Sequence, residues 1–141
     1  APAHADAPGL RILLAEDNPI NMMLIRELLR RRGHTVTEVT TGNDAVQAMV
    51  GGSFDLLLTD IHMPGMDGIE AARAIRLSEQ RMGKPRTPIV ALTADALDGG
   101  KRACQEAGMD GFLTKPVDPA ELEEMFLMLF PSEERSHIVA A

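Results

Sequence analysis

Residues 54–68, FDLLLTDIHMPGMDG, decide the fold. Leu56, Leu57 and Leu58 follow one another without a polar break. A strand with one wet face alternates apolar and polar residues; a strand covered on both faces does not. The run therefore reads as a strand buried inside a parallel sheet. It ends on Thr59 and a charged Asp60. Pro64-Gly65 and Asp67-Gly68 then mark a loop and a helix start. From Gly68 to Ser78, Ile69, Ala72 and Ile75 fall on one helical face. A buried strand, a loop and an amphipathic helix make one repeating half of an α/β sheet protein.

The same alternation extends in both directions. Ile12-Leu13-Leu14-Ala15 precedes it; Ile89-Val90-Ala91-Leu92 and Gly111-Phe112-Leu113 follow. Val36-Thr37-Glu38-Val39 mixes polar and apolar residues, as an edge strand would. Asn18 followed by Pro19 is an N-cap with proline at the first helical position. Ile20, Leu24 and Leu28 then repeat every four residues and give that helix its apolar face, and Gly33 ends it. A second helix is expected from Asn43 to Val50, stopped by Gly51-Gly52. A fourth is expected from Leu97 to Ala107, weakened by Gly99 and Gly100 and closed by Gly108. Asp118-Pro119-Ala120-Glu121 resembles a capping box, with Leu122, Met125, Phe126 and Leu129 at helical spacing and Pro131 as the stop. Five strands each followed by a helix predict a doubly wound α/β fold with a five-stranded parallel sheet in the flavodoxin-like order 2-1-3-4-5. Residues 1–9 read as a linker or disordered tail, 10–130 as the domain and 131–141 as a C-terminal tail.

The 141 residues, 45% apolar and 25% charged, suit one ordinary globular domain. A net charge of -7 argues against nucleic acid, which rewards clustered Lys and Arg. A single cysteine, Cys104, excludes an internal disulfide and reads as a small packed side chain. No apolar run approaches a membrane span, and no signal peptide is visible, so a cytoplasmic location without direct membrane contact is expected. The chain starts at Ala1 rather than Met, which suggests a piece of a longer protein, one that could be tethered through a membrane-bound parent.

In doubly wound sheets ligands bind at the carboxyl ends of the strands, at the switch point between strands 1 and 3. Strand 1 releases Glu16-Asp17 there, strand 3 Asp60, strand 4 Thr93 and strand 5 Thr114-Lys115. Three carboxylates repel one another unless something neutralises them. Lys115 supplies one charge. An all-oxygen donor set favours Mg²⁺ for the rest. A carboxylate beside that cation can attack phosphorus and form an acyl phosphate, a reaction that needs mainly positioning and charge neutralisation.

Taken together, Leu13-Leu14-Ala15-Glu16-Asp17-Asn18, Thr59 to Gly68, Ala91-Leu92-Thr93-Ala94 and Lys115-Pro116 resemble a response-regulator receiver domain of two-component signalling. The likeness runs from Leu10 to Phe130 and is greatest to receivers of hybrid histidine kinases. It implies that Asp60 is the phosphoacceptor, taking its phosphoryl group from a histidine kinase or a histidine phosphotransfer protein. It implies Mg²⁺ held by Asp17, Asp60 and the backbone carbonyl of His62, with Glu16 acting mostly through water. Lys115 would pair with phosphoryl oxygens through a cis bond to Pro116, Thr93 would move toward the phosphoryl group, and Phe112 would swing in behind it, without the hydroxyl that a tyrosine supplies in some relatives. His62 and Asp95 flank the hydrolytic water path and would modulate hydrolysis. Such a domain catalyses its own phosphorylation and dephosphorylation but is no turnover enzyme alone. Output would come from another protein or another part of the parent chain.

Two other classes fit less well. An aspartyl phosphatase of the haloacid dehalogenase type wants its nucleophile after the first strand and a second acid two residues on, where His62 stands. A nucleotide-binding module wants a loop rich in Gly, Ser and Thr after strand 1, where Glu16-Asp17 would repel phosphate. A receiver fold used only for docking is the third alternative. Ile20, Met22 and Met23, where solvent-facing, could pack against the phosphohistidine carrier. Arg26, Arg30, Arg31 and Arg32 read as a solvated helix end, and His4, His34 and His137 as surface residues.

Overall fold

The apolar runs are strands and the amphipathic stretches helices in a computed structural model, which describes residues 9–94 and 100–131. In chain order the elements are β1 (Arg11–Ala15), α1 (Pro19–Arg31), β2 (Thr35–Val39), α2 (Gly42–Gly51), β3 (Leu56–Asp60), α3 (Gly68–Met82), β4 (Ile89–Thr93), α4 (Gly100–Glu106), β5 (Gly111–Thr114) and α5 (Pro119–Leu129). The strands form one sheet in the order β2-β1-β3-β4-β5, and every neighbouring pair is parallel. The doubly wound fold and the strand order read from the sequence are both found.

β3 lies at the centre and is buried along its whole length. Leu57 stands in register with Leu13 and Ile89, and Leu58 with Leu14 and Val90. Successive residues point to opposite faces, so two cores form. Leu13, Leu57 and Ile89 pack with Ala45 and Met49 of α2, Ala72 and Ile75 of α3, and Cys104 of α4. Ile12, Leu14, Leu58 and Leu92 pack with Met22, Ile25 and Leu29 of α1 and with Leu122 and Phe126 of α5. Each fully buried leucine contributes about 2 kcal/mol. α2, α3 and α4 thus cover one face, and α1 and α5 the other.

The helix caps follow the local sequence. Asn18 Oδ1 accepts from the N–H groups of Ile20 and Asn21. Asp67 and Glu70 close a full capping box at the start of α3, which ends at a left-handed Gly83. Asp118 Oδ1 accepts from Ala120 N–H. The Lys115-Pro116 bond is cis. α2 begins at Gly42, capped by Thr41, and α3 runs past Ser78 to Met82. The expected start of the fourth helix at Leu97 lies outside the described residues.

Three expectations are corrected. The core face of α1 is Met22, Ile25 and Leu29, while Ile20 and Leu24 are 63% and 50% exposed. Four-residue steps drift round a helix of 3.6 residues per turn, and the set spaced three and four tracks the sheet instead. His34 is half-buried rather than on the surface: Nδ1 accepts from Leu10 N–H at 3.0 Å, and the ring meets Phe126 edge-on. The arginines along and just past α1 are not all solvated. Arg26 pairs with Glu38 at 2.6 Å, and Arg32 with Glu123 at 3.0 Å. His4 and His137 lie outside the described residues.

Candidate functional site

Parallel strands bring their carboxyl ends to one edge, and the residues just past them meet there. β1 delivers Glu16 and Asp17. Glu16 is almost fully buried, its N–H donating to Val39 O on β2 at 3.1 Å. β3 delivers Asp60, only 6% exposed. β5 delivers Lys115, whose backbone N–H donates to Thr93 O at 2.7 Å and so ties the ends of β4 and β5 together. Thr93 is half-buried at the end of β4.

Lys115 Nζ donates to Asp60 Oδ2 at 3.1 Å and to Glu16 Oε1 at 3.3 Å. The other oxygen of Glu16 accepts from Asn18 N–H at 3.0 Å, and Asp60 Oδ1 accepts from His62 N–H at 3.4 Å. One carboxylate oxygen each from Glu16, Asp17 and Asp60 lies within 4.8 Å of the others. Asp17 is the exposed member.

Three carboxylates thus face one ammonium. Burial, reinforced by the charge of Asp60, raises the Glu16 carboxyl above its ordinary range, although the Asn18 N–H and Lys115 oppose the rise. Burial also works against the Lys115 charge, but the hydrogen bond and charge of Asp60, with Glu16 behind them, outweigh it and hold Lys115 above its ordinary value. The donor set is all oxygen, negative in excess and open on the Asp17 side. Those features fit a hard divalent cation such as Mg²⁺.

The other predicted residues fall around this centre. The side chain of His62 points to solvent, and only its backbone N–H is seen to reach Asp60. Phe112 packs against the core beneath α3 and α4, with Lys101 Nζ 5.0 Å from the ring centroid. Asp95 lies outside the described residues.

Two contributors were not read from the sequence. Asn18 caps α1, and its N–H also orients Glu16. Gly68 marks a turn and helix start, and a β-carbon there would lie 2.2 Å from Asp60 O. Only glycine lets the start of α3 pass this close, where Gly68 N–H donates to Ile61 O at 2.7 Å. A glycine after an aspartate is a common turn signal, and nothing local betrays the second role.

Beside the site, between α1 and the loop from β5, a groove of about 410 Å³ is lined by Leu24, Ile25, Leu28, Lys115, Pro116 and Val117.

Residues 12–127 match the family described as response regulator receiver domain. The sensor protein GacS of Pseudomonas syringae pv. syringae is 43% identical over 126 residues, 89% of this chain but 14% of that protein. The chain therefore spans about one seventh of that relative. Among solved structures, the receiver domain of a Pseudomonas aeruginosa sensor histidine kinase, with magnesium coordinated in its active site cleft, is 41% identical over 88% of this chain and 99% of that one, with a TM-score of 0.79. A chain of the Saccharomyces cerevisiae co-crystal of the histidine phosphotransfer protein Ypd1 with the receiver domain of Ssk1 is 31% identical over 85% of this chain and 88% of that one, with a TM-score of 0.80.

Proposed function

Because the chain belongs to the response regulator receiver domain family, we propose that it takes a phosphoryl group from a phosphohistidine onto Asp60, in a Mg²⁺-dependent reaction, and so switches partner binding in a phosphorelay. One observation carries the reading. Lys115, 55 residues from Asp60 and 99 from Glu16, donates to both carboxylates at one strand edge.

Asp60 is the nucleophile. One carboxylate oxygen forms the new bond to phosphorus as the P–N bond breaks, and the bonding pair returns to the imidazole nitrogen. Lys115 stands where the transferred oxygens arrive and can exchange its contact with Asp60 for one with them. Thr93, at the end of β4, is placed to add a hydroxyl donor. Asp17 and Asp60, with the carbonyl of His62, would hold Mg²⁺, which supplies charge neutralisation to the phosphoryl group when bound. Glu16 already spends both oxygens on Asn18 and Lys115, which suits an indirect role toward the metal. The magnesium in the active site cleft of the similar receiver supports a cation at this edge.

The donor is a histidine kinase or a histidine phosphotransfer protein, as the Ypd1 complex of a similar chain suggests. Ile20, Met23 and Leu24 are exposed on α1 beside the site, and the neighbouring groove is apolar enough to seat such a helical carrier. Met22 is buried and takes no part. After transfer, the pull on Thr93 and Lys115 biases Phe112 and the β4–α4–β5–α5 face between two states. His62 and Asp95 modulate hydrolysis of the acyl phosphate. The domain spans residues 10–130 and works in the cytoplasm, carried by a longer kinase. No helix among the described residues is long and apolar enough to cross a membrane.

The test is intact-mass spectrometry after incubation with acetyl phosphate, with Mg²⁺ or with EDTA. The expected result is a gain of one phosphoryl group that needs Mg²⁺ and vanishes in Asp60→Asn. No gain from acetyl phosphate or from a phosphorylated histidine phosphotransfer protein would leave a docking module.

A further inference from the structure

The chain is acidic overall, yet Arg73, Arg76, Arg81, Lys84 and Arg86 crowd one stretch with Glu79 as its only acid. Three of these cations are engaged. Arg76 bonds to Glu79 and Asp110, Arg86 pairs with Asp110 at 2.8 Å, and Lys84 Nζ donates to Val50 O at 3.0 Å. Arg73 and Arg81 are exposed, and their side chains make no ion pair or hydrogen bond among the described residues. They stand one turn to either side of Leu77, which is 47% exposed. Residues four apart share a helix face, so α3 presents a stripe of cation, apolar side chain and cation.

α5 presents the complement. Glu121 and Glu124 are exposed and without partners among the described residues, and Met128, one turn past Glu124, is 60% exposed. Leu77 set against Met128 places Glu124 beside an arginine in either helix direction: Arg73 if the helices run parallel, Arg81 if antiparallel. Within one molecule the stripes cannot meet, because α3 and α5 cover opposite faces of the sheet. Like stripes repel, since α5 on α5 gathers glutamates and α3 on α3 arginines.

We propose that copies of this chain associate head to tail, the basic stripe of α3 in one seated on the acidic stripe of α5 in the next. Such a contact is heterologous and leaves an unused stripe at each end, so growth does not stop at a dimer. It needs nothing from the chemistry at Asp60.

Sedimentation equilibrium up to millimolar protein tests this. At low salt the weight-average mass should climb past the dimer without a plateau, and it should fall toward the monomer at high salt. R73E/R81E and E124R should each be monomeric with unchanged melting curves. Their equimolar mixture should associate again, because each supplies the stripe the other lacks. A wild-type chain that stays monomeric, a plateau at the dimer, association that survives either reversal, or a mixture that stays monomeric would each overturn the proposal. If a reversed variant melts early, R73Q/R81Q takes its place and must weaken association without lowering the melting point.

Discussion

A methyl group on Gly68 would press on the carbonyl carbon and oxygen of Asp60 and on the Cα of Ile61. Backbone atoms cannot step aside as a flexible side chain can, so Gly68→Ala must move either α3 or the end of β3. Both hold Asp60 in place. Displacing a reacting group by about 1 Å costs about 100-fold in rate, and overpacking costs about 1–3 kcal/mol. Gly68→Ala should therefore slow phosphoryl uptake from acetyl phosphate about 100-fold, measured by intact mass against time. Gly51→Ala is the control, since a β-carbon there meets nothing within 4 Å. Equal rates in the two variants would show that Asp60 tolerates the shift. At this scale the sequence exposes residue types but not their neighbours. Glu16, Asp60 and Lys115 were legible because charged groups at strand ends are rarely idle. The crowding at Gly68 was not, because it depends on the approach of a helix to a strand end.

At the scale of elements, the joint around His34 is the clearest case of structure that no local pattern foretells. The residue lies between α1 and β2, accepts from the backbone N–H of Leu10 just before β1, and touches Phe126 of α5. Only the neutral ring can accept at Nδ1. Burial, helped by Arg32 and opposed by Glu123, lowers the His34 pKa from its ordinary value of 6.5. Between that value and the lower folded one, the unfolded chain binds a proton that the folded chain does not. Stability should therefore fall as pH drops below 6.5 and level off once the folded ring protonates. In His34→Asn, an amide oxygen keeps an acceptor and removes the titration. Urea midpoints taken from pH 7.5 down to about 5 should drop more steeply in the native chain than in this variant. Parallel curves would mean that His34 protonates without strain. A similar joint at the opposite edge of the sheet from the site links Arg76 to Glu79, Thr87, Gly108 and Asp110.

For the molecule as a whole, ligand binding at the strand edge must stabilise the fold, because the unfolded chain scatters Glu16, Asp17 and Asp60. At a hundredfold excess over Kd, Mg²⁺ adds about 2.7 kcal/mol, or about 10 °C in Tm for a chain of this length. Asp17 is exposed, and its side chain makes no hydrogen bond or ion pair among the described residues, so Asp17→Asn should lose that shift while keeping its Tm without metal. An equal shift in both proteins would place the ion elsewhere. By itself the sequence determined the α/β class, the strand order and the list of groups at the switch point. Continuous apolar runs, helix caps and turn residues are local signals, and right-handed crossovers leave few topologies open. Only the tertiary structure decided which face of α1 is core, that His34 is a joint rather than a surface residue, why position 68 must be glycine, and that a basic and an acidic stripe stand on opposite faces. Each of these depends on distances between residues far apart in the chain, which are set when both faces of the sheet are covered at once.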